Sequence, residues 1–209
     1  MEKILVAGAN GTTGKMIVQQ LHQAEVYVPV AMVRKHEQTA QFELDGIEVV
    51  LADLEQDLSF ALNDVDKVIF AAGSGGQKVK AVDRDGAKRL IDAAKKHGVK
   101  KFVMLSSIGA DKPEEADELQ EYLKAKHQAD EYLKNSGLSY TILRPGSLNN
   151  EEATHKIRGG KHIDPQGEIP RADVANVLVH CLPDDVAPNV TFEILSGDHP
   201  IKEILDTIS

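Results

Sequence analysis

Short apolar runs alternate with amphipathic stretches along most of the chain, and this alternation restricts the fold more than any other feature. The apolar runs are rich in β-branched residues and predict strands at residues 4–8, 26–33, 47–51, 68–72, 102–105, 140–143 and 190–195. Helical periodicity lies between most of them, at residues 13–23, 78–97, 115–135 and 172–182. Because the strands are almost continuously apolar, both faces of their sheet must be covered. We therefore predict an α/β fold with a doubly wound, mainly parallel sheet and helices on both faces.

The length of the chain, 209 residues, fits one domain with a single continuous core. The sequence contains no internal repeat and no low-complexity linker. One interruption rich in glycine and proline, at residues 158–170, predicts a turn or short hairpin beside a substrate cleft. We expect residues 1–209 to form one domain, with residues 147–170 as a loop region on its substrate side.

The composition is that of a water-soluble globular protein, with 42% hydrophobic and 27% charged residues. No apolar run reaches the roughly 20 residues that cross a bilayer, and the N-terminus lacks the pattern of a signal peptide. We therefore expect a cytoplasmic protein without a membrane partner. The formal net charge of -9 repels phosphate backbones, so we expect no nucleic-acid partner either.

Cysteine and histidine usage argues against a metal centre. Cys181 is the only cysteine, so an intrachain disulfide and a site with several thiolates are impossible. Its apolar helical surroundings predict that it packs in the core. The eight histidines are scattered and form no His-x-x-x-His pair beside a carboxylate. We expect no metal.

A glycine-rich turn, GlyAlaAsnGlyThrThrGly at residues 8–14, follows the first predicted strand and opens the first predicted helix. Glycines let the backbone approach a pyrophosphate, and the free N–H groups at the start of the helix stabilise its charge. Threonine hydroxyls can add donors. The turn therefore predicts a Rossmann-type dinucleotide site that includes Gly8, Asn10, Gly11, Thr12, Thr13 and Gly14.

Two other interpretations of this turn are a mononucleotide P-loop and a tight turn with a purely structural role. A mononucleotide P-loop requires a glycine five residues before its GlyLys pair, followed by serine or threonine. Here Ala9 occupies the first position and Met16 the last, which disfavours ATP or GTP. A tight turn with a purely structural role remains open.

The end of the second predicted strand favours NADP(H) over NAD(H). NAD-selective sites place an acidic residue there, about 20 residues beyond the glycine turn, to bind the ribose hydroxyls. This chain has Arg34 at that place, and a guanidinium can hold the additional phosphate of NADP with two hydrogen bonds. The alternative is a solvated surface arginine that pairs with Glu37.

Further short motifs accompany the glycine turn: ValArg at 33–34, AspLeu at 53–54, AlaAlaGly at 71–73, SerSer at 106–107, ArgProGly at 144–146 and ArgAlaAspValAla at 171–175. With them the chain resembles the atypical short-chain dehydrogenase/reductase family, in particular small NAD(P)H-binding members related to biliverdin reductase B and the NmrA-like proteins. The resemblance implies that Asp53 and Leu54 flank the adenine and that Pro145 lies near the nicotinamide. It also implies that Ala71, Ala72 and Gly73 pass along the ribose and phosphates.

The predicted helix at residues 118–133 carries the catalytic candidates. One apolar stripe contains Leu119, Tyr122, Leu123, Ala129 and Leu133, with Lys126 near its centre. A lysine in such a stripe is costly unless its ammonium reaches a polar cleft or a ligand. Tyr122 and Lys126 lie one turn apart, as a tyrosine acid and the lysine that supports it would. The family resemblance adds Ser107 from the end of a preceding strand.

Two interpretations of this helix stay open beside the catalytic one. Lys126 can pair with Asp130 at i,i+4, and Tyr122 can simply pack. Accordingly, the leading hypothesis is a reductase that passes hydride from NADPH to a small carbonyl or conjugated, flavin-like acceptor. The alternative is an NADP(H)-binding redox sensor of the NmrA-like type, without turnover. The sequence identifies neither the small-molecule substrate nor the oligomeric state.

Overall fold

A computed structural model describes residues 1–117 and 119–208. The strands in this part of the chain are β1 (Glu2–Ala7), β2 (Tyr27–Val33), β3 (Glu48–Leu51), β4 (Lys67–Phe70), β5 (Lys101–Leu105), β6 (Tyr140–Pro145), β7 (Ser147–Asn149), β8 (Lys156–Gly160), β9 (Glu168–Pro170), β10 (Val190–Ser196) and β11 (His199–Pro200). Within it, nine strands form one sheet in the order β11-β8-β10-β6-β5-β4-β1-β2-β3, and β7 pairs with β9 separately.

Each of the first five α-helices in the described residues lies between two strands in the chain, and the sixth follows the last strand. These helices are α1 (Thr12–Gln23), α2 (Ala40–Glu43), α3 (Ala87–Lys96), α4 (Gln120–Lys134), α5 (Arg171–His180) and α6 (Ile201–Ile208). The predicted helix at 78–97 contains a π-helix, Val79–Gly86, that runs directly into α3. Residue 118, which begins the predicted catalytic helix, lies outside the described residues. None of the described helices is long and apolar enough to span a membrane.

The first strand shows how helices come to cover both faces of the sheet. Ile4 and Val6 pack in one apolar cluster with residues of α1 and α5, whereas Leu5 and Ala7 pack in a second with residues of α3 and α4. Successive strand residues point to opposite faces, so each face meets its own helical layer. The predicted doubly wound, mainly parallel α/β fold is confirmed.

The winding of the chain creates a crevice between β1 and β4. From β1 the chain continues to β2 and β3 on one side, and it then returns to β4 on the other side of β1. Both β2 and β4 pair in parallel with β1. Ligands of such sheets bind beyond the carboxyl ends of the strands at this reversal of strand order.

The segment at residues 158–170 differs from the predicted turn or short hairpin. β8 joins the main sheet antiparallel to β10, while β9 pairs with β7. A Cβ atom at Gly159 would lie 2.9 Å from Cγ2 of Ile204 in α6 and 3.2 Å from the carbonyl oxygen of Glu193 in β10. The glycine therefore allows close packing inside the sheet and does not mark a turn.

Two lysines are buried where β4 and β5 begin, at the amino edge of the sheet. Lys67 Nζ lies 2.9 Å from Glu2 and 2.8 Å from Asp184, and it donates to the carbonyl oxygen of Leu182 at 3.0 Å. Lys101 Nζ donates to two carbonyl oxygens of residues 183 and 186. Burial lowers the pKa of Lys101. The protein itself therefore supplies the partners of both ammonium groups.

Cys181 follows α5 and is fully buried in the cluster that contains Ile4. Burial raises the pKa of its thiol to about 12, so the reactive thiolate form is strongly disfavoured. The predicted packing role of this cysteine is confirmed.

Candidate functional site

Two adjoining cavities lie along the carboxyl edge of the sheet. The first, of about 310 Å³, opens beside the end of β2 and is named here the β2 cavity. The second, of about 580 Å³, opens beside the end of β5 and is named the β5 cavity. Both are lined by Gly11, Ala72 and Gly73, so together they form one continuous cleft.

The cleft gathers every residue that the sequence predicted for the site. Besides the three shared residues, the β2 cavity is lined by Gly8, Asn10, Arg34, Asp53 and Leu54. The β5 cavity is lined by Thr12, Thr13, Gly14, Ala71, Ser107, Tyr122, Lys126 and Pro145. These residues come from the carboxyl ends of parallel strands, from the loops that follow them, and from α1 and α4. They meet because the parallel strands all end at the same edge of the sheet.

The glycine turn is shaped for close approach of a ligand. Gly8 has a φ of +89°, and a Cβ there would lie 2.6 Å from Cα of Ala72. A Cβ at Gly14 would overlap the carbonyl oxygen of Gly8, whereas one at Gly11 would lie 3.3 Å from that oxygen. Gly8 and Gly14 therefore serve the tight strand-to-helix packing, and Gly11 faces the cleft.

The start of α1 offers unused hydrogen-bond donors beside that turn. Gly11 is the N-cap, and no side chain caps the helix. The first N–H groups of a helix have no partner within it, and they add to the positive end of the helix dipole. This bare, positive N-terminus next to glycines fits a pyrophosphate.

Arg34 lies on the wall of the β2 cavity with its side chain exposed. Its backbone N–H donates to Oε1 of Gln38 at 3.1 Å, which fixes the chain after β2. The alternative pair with Glu37 is not formed, and the carboxylate of Glu37 lies instead 3.9 Å from Nζ of Lys35. Within the described residues the guanidinium has no acidic partner, so it is available to a ligand.

Other polar groups shape the same cavity. Asp53 Oδ1 accepts the N–H of Glu55 at 2.9 Å and so closes the turn after β3. Asn10 Oδ1 accepts from Nε2 of Gln41 at 2.7 Å, which ties the glycine turn to α2. Gln38 and Gln41 were not predicted as site residues. The contact of Gln41 with Asn10 joins segments that are 31 residues apart, so sequence spacing does not indicate it.

Lys126 is buried at the wall of the β5 cavity. Its Nζ donates to the carbonyl oxygen of Leu105 at 3.1 Å and lies 3.8 Å from Oδ1 of Asp83. It also lies 5.6 Å from the centre of the Tyr122 ring. The ammonium of Lys126 therefore reaches a polar site in the cleft, as the helix pattern predicted.

The alternative pairing of Lys126 with Asp130 is wrong. Asp130 Oδ2 instead accepts from Oγ of Ser106 at 2.9 Å and from Nε and a terminal nitrogen of Arg144 at 3.0 and 2.9 Å. Burial raises the pKa of Asp130, and the charge of Arg144 opposes that effect. This buried network fixes α4 against the ends of β5 and β6.

Tyr122 and Ser107 also line the β5 cavity. Ser107 Oγ donates to the carbonyl oxygen of Ile108 at 3.2 Å. Leu119 was predicted to share the apolar stripe of Tyr122, but it precedes α4 and is 59% exposed. The three catalytic candidates, Ser107, Tyr122 and Lys126, all line the β5 cavity, which places a hydroxyl, a phenol and an ammonium at its wall.

Sequence analysis missed Asp83 and Ser74. Asp83 belongs to the π-helix, is 1% exposed and lines the β5 cavity. Its Oδ2 accepts the N–H of Ser74 at 3.1 Å, whereas its Oδ1 and the Oγ of Ser74 have no hydrogen-bond partner. The available signal in the sequence was an acidic residue directly after the apolar Val82 within the predicted helix at 78–97.

A separate side-chain cluster lies outside this cleft. Ligand atoms of Asp111, His162 and Glu193 all lie within 4.8 Å of one another. Arg144 lies 3.5 Å from Asp111 and contributes a balancing positive charge. Spacing along the sequence could not reveal this cluster, because its members come from three distant segments. The expectation that the protein binds no metal stays a prediction.

Comparison with known proteins places this geometry in a family. The family described as NAD(P)H-binding matches residues 8–185. The uncharacterized sugar epimerase YhfK of Bacillus subtilis is 41% identical over 97% of this chain and 98% of its own. Sanguinarine reductase of Eschscholzia californica is 27% identical over 96% of this chain and 91% of its own.

A solved structure extends the comparison to the fold. The protein from Bacillus halodurans described as a candidate NAD-dependent epimerase/dehydratase is 39% identical, with a TM-score of 0.95 over 99% of this chain and 100% of that chain. The family match, the sequence identity to YhfK and the structural similarity each extend over most of the chain. The chain therefore belongs to the NAD(P)H-binding, atypical short-chain dehydrogenase/reductase family of oxidoreductases, as its motifs had indicated.

Proposed function

We propose that the protein is an NADP(H)-dependent reductase that acts on a small carbonyl or conjugated, flavin-like acceptor. The observation that carries the choice of cofactor is the exposed guanidinium of Arg34 in the β2 cavity, which no acidic residue of the described chain neutralises. Reductases among the relatives, such as sanguinarine reductase, support the reaction type.

The two cavities of the cleft are lined by residues that suit the two halves of such a dinucleotide. Arg34, Asp53 and Leu54 line the β2 cavity and would hold the adenosine half, and the glycine turn would hold the pyrophosphate. Lys126 and Pro145 line the β5 cavity and would hold the nicotinamide half. Residues 1–209 act as a single cofactor-binding domain, with residues 147–170 on the side of the substrate.

The side chains of the β5 cavity have defined roles in this proposal. The bound nicotinamide supplies the hydride when the acceptor is reduced. Tyr122 donates the proton from its hydroxyl, and the ammonium of Lys126 stabilises the phenolate that remains. Ser107 orients the acceptor by a hydrogen bond. All three line the cavity in which the acceptor would lie.

The cofactor proposal is tested by the affinities of NADPH and NADH, measured by isothermal titration calorimetry. A charge-assisted contact with the extra phosphate contributes about 1.5 to 3 kcal/mol, so NADPH should bind at least about tenfold more tightly. Arg34→Ala should reduce the difference between the affinities for NADPH and NADH. Lys35→Ala is the matched control, because Lys35 is exposed but already pairs with Glu37. Equal affinities in the unmodified protein would rule out the role of Arg34.

The reaction is tested by NADPH consumption with a panel of quinones, flavins and aldehydes. The proposal expects oxidation of NADPH with at least one of these acceptors. A cofactor that binds but is never consumed would favour the redox sensor. Epimerisation of a sugar without net consumption of the cofactor would favour an activity like that named for YhfK.

A further inference from the structure

Asp83 is a buried carboxylate that the fold itself does not fully satisfy. It is 1% exposed, and one hydrogen bond, from the N–H of Ser74, is assigned to its Oδ2. Its Oδ1 has no hydrogen-bond partner and lies 3.8 Å from Nζ of Lys126. Burial of a charge is costly unless the charge is paired and hydrogen-bonded. An incompletely satisfied buried carboxylate beside a cavity therefore indicates a role beyond folding.

The π-helix explains how Asp83 reaches this place. Val79–Gly86 has the wider turns of a π-helix before α3 begins, and such turns occur often at functional sites. They direct Asp83 towards α4, which carries Lys126. Asp83 and Lys126 therefore come from different elements. The ion pair with Asp83 and the hydrogen bond to the carbonyl oxygen of Leu105 together restrict the position of the Lys126 ammonium.

The lysine retains hydrogen-bonding capacity in this arrangement. An ammonium group has three donors, and Leu105 uses one of them. The side chain of Lys126 is 5% exposed, so its freedom to choose another orientation is small. A ligand in the β5 cavity thus meets a lysine whose position Asp83 helps to set.

We propose that Asp83 is a positioning residue for the cofactor: it holds the Lys126 ammonium where that group binds the ribose of the nicotinamide half. Asp83 acts through Lys126 and does not touch the adenosine half. The inference rests on the proposed function, since it requires that a dinucleotide occupies the cleft. It also gives a reason for the presence of an acidic residue at a buried position of the π-helix.

The test compares two ligands that share the adenosine half. NADPH fills the whole cleft, whereas adenosine 2′,5′-bisphosphate lacks the nicotinamide and its ribose. Asp83→Asn should weaken NADPH binding about tenfold and leave the affinity for the bisphosphate within about twofold. Asp85→Asn is the matched control, because Asp85 lies in the same π-helix but pairs with Arg84 at 2.7 Å and lines neither cavity. Thermal melting checks that each variant is folded.

A double-mutant cycle separates positioning from a general structural role. In a Lys126→Met background, Asp83→Asn should cause no further loss of NADPH affinity, since the group it positions is gone. This comparison uses only Lys126→Met and the double variant, so it does not require a folded Asp83→Asn variant. Thermal melting checks Lys126→Met as well, because that variant leaves the Asp83 carboxylate without its charge partner. An equal loss for both ligands, or a further loss in the Lys126→Met background, would overturn the inference.

The same titrations distinguish this inference from the proposed function. If the unmodified protein binds neither ligand, the cofactor proposal fails and the role of Asp83 fails with it. If the unmodified protein binds both ligands and Asp83→Asn binds NADPH with unchanged affinity, only the inference about Asp83 is overturned.

Discussion

The two edges of the central sheet differ in how fully the protein supplies hydrogen-bond partners to its buried charged groups. At the amino edge, Lys67 has two carboxylates and a carbonyl oxygen as partners, and Lys101 has two carbonyl oxygens. At the carboxyl edge, Asp83, Ser74 and Asp130 each keep a buried oxygen without a hydrogen-bond partner. Thr191, near the start of β10, also has a buried hydroxyl oxygen without a hydrogen-bond partner, so the difference concerns the charged groups. The protein supplies the partners of both buried lysines of the amino edge, whereas Asp83 and Asp130 of the carboxyl edge each keep an oxygen without a hydrogen-bond partner.

This difference separates the parts of the molecule that hold the fold from those that meet the ligand. A polar group whose partners all come from the protein stabilises the folded state. A group that retains free hydrogen-bonding capacity beside a cavity can use it for a ligand. We therefore expect substitutions at the amino edge to change stability and substitutions at the carboxyl edge to change binding or turnover.

The largest effect is expected for Tyr122 at the carboxyl edge. Tyr122→Phe removes only the hydroxyl, so NADPH binding and the melting temperature should be preserved while turnover falls roughly 10²- to 10⁴-fold, the usual share of general acid catalysis. Lys126→Met should impair both binding and turnover. Steady-state kinetics with an active acceptor provide the measurement. Full activity of Tyr122→Phe would remove the phenol from the mechanism and leave solvent as the proton source.

Gly11→Val should weaken dinucleotide binding more than tenfold while the protein remains folded. A Cβ at Gly11 meets only the carbonyl oxygen of Gly8, at 3.3 Å, so the added methyl groups project into the cleft, where backbone and pyrophosphate would meet. Calorimetric titration of NADPH measures the loss. Gly14→Val is the contrasting variant, because its Cβ overlaps Gly8 and should prevent folding itself. Unchanged affinity in folded Gly11→Val would move the site elsewhere.

Lys67→Met should lower the free energy of unfolding by about 1 to 3 kcal/mol, since it removes hydrogen bonds to two charged partners. NADPH affinity and turnover should not change, because Lys67 lies at the opposite edge from the cleft. Chemical denaturation measures the stability. Lys100→Met serves as the control: Lys100 is 53% exposed, and exposed ion pairs contribute less. A large loss of NADPH affinity in folded Lys67→Met would contradict the expectation that substitutions at the amino edge change stability and leave ligand binding unchanged.

The smallest effect is a loss of stability in acid from the carboxylates of the amino edge. Hydrogen bonds from Lys100 and from Lys67 hold the pKa values of Asp66 and Asp184, respectively, below the ordinary 3.8. Because the unfolded chain then binds protons more readily, their contribution is present above about pH 4 and is lost as the pH falls through the folded pKa values.

Thermal melting between pH 6 and pH 3 measures this loss. Asp66→Asn should be less stable than the unmodified protein at pH 6, and the difference should shrink towards pH 3. A difference that stays constant over this range would show that the charge of Asp66 contributes nothing to stability.

The parts of the site that sequence analysis predicted are those encoded locally. The glycine turn joins a strand to a helix within a few residues, and Arg34 follows directly from the end of β2. Lys126 could be assigned to a polar cleft because a charge in an apolar helical stripe must reach one. None of these inferences required knowledge of which distant residues meet.

The features that were missed depend on distant contacts. Asp83 and Lys126 are far apart in the chain, and the period of apolar residues does not distinguish a π-turn from an α-helix, so residues 78–97 were read as one regular helix. The end of β8, at residues 158–160, lies within the predicted turn or short hairpin, because GlyGly has a low strand propensity. Its place in the sheet is set by packing of Gly159 against Ile204.

Because Cys181 is buried and is the only cysteine of the chain, the rate at which its thiol is alkylated measures how often the fold opens around it. A fully buried thiol can react with an alkylating reagent only after the region around α5 opens. Because no second cysteine competes, the rate of labelling reports one event at one position. A cofactor that binds only the folded state slows that event in proportion to its occupancy, so labelling rates measured at rising NADPH concentrations yield its affinity without any assay of turnover.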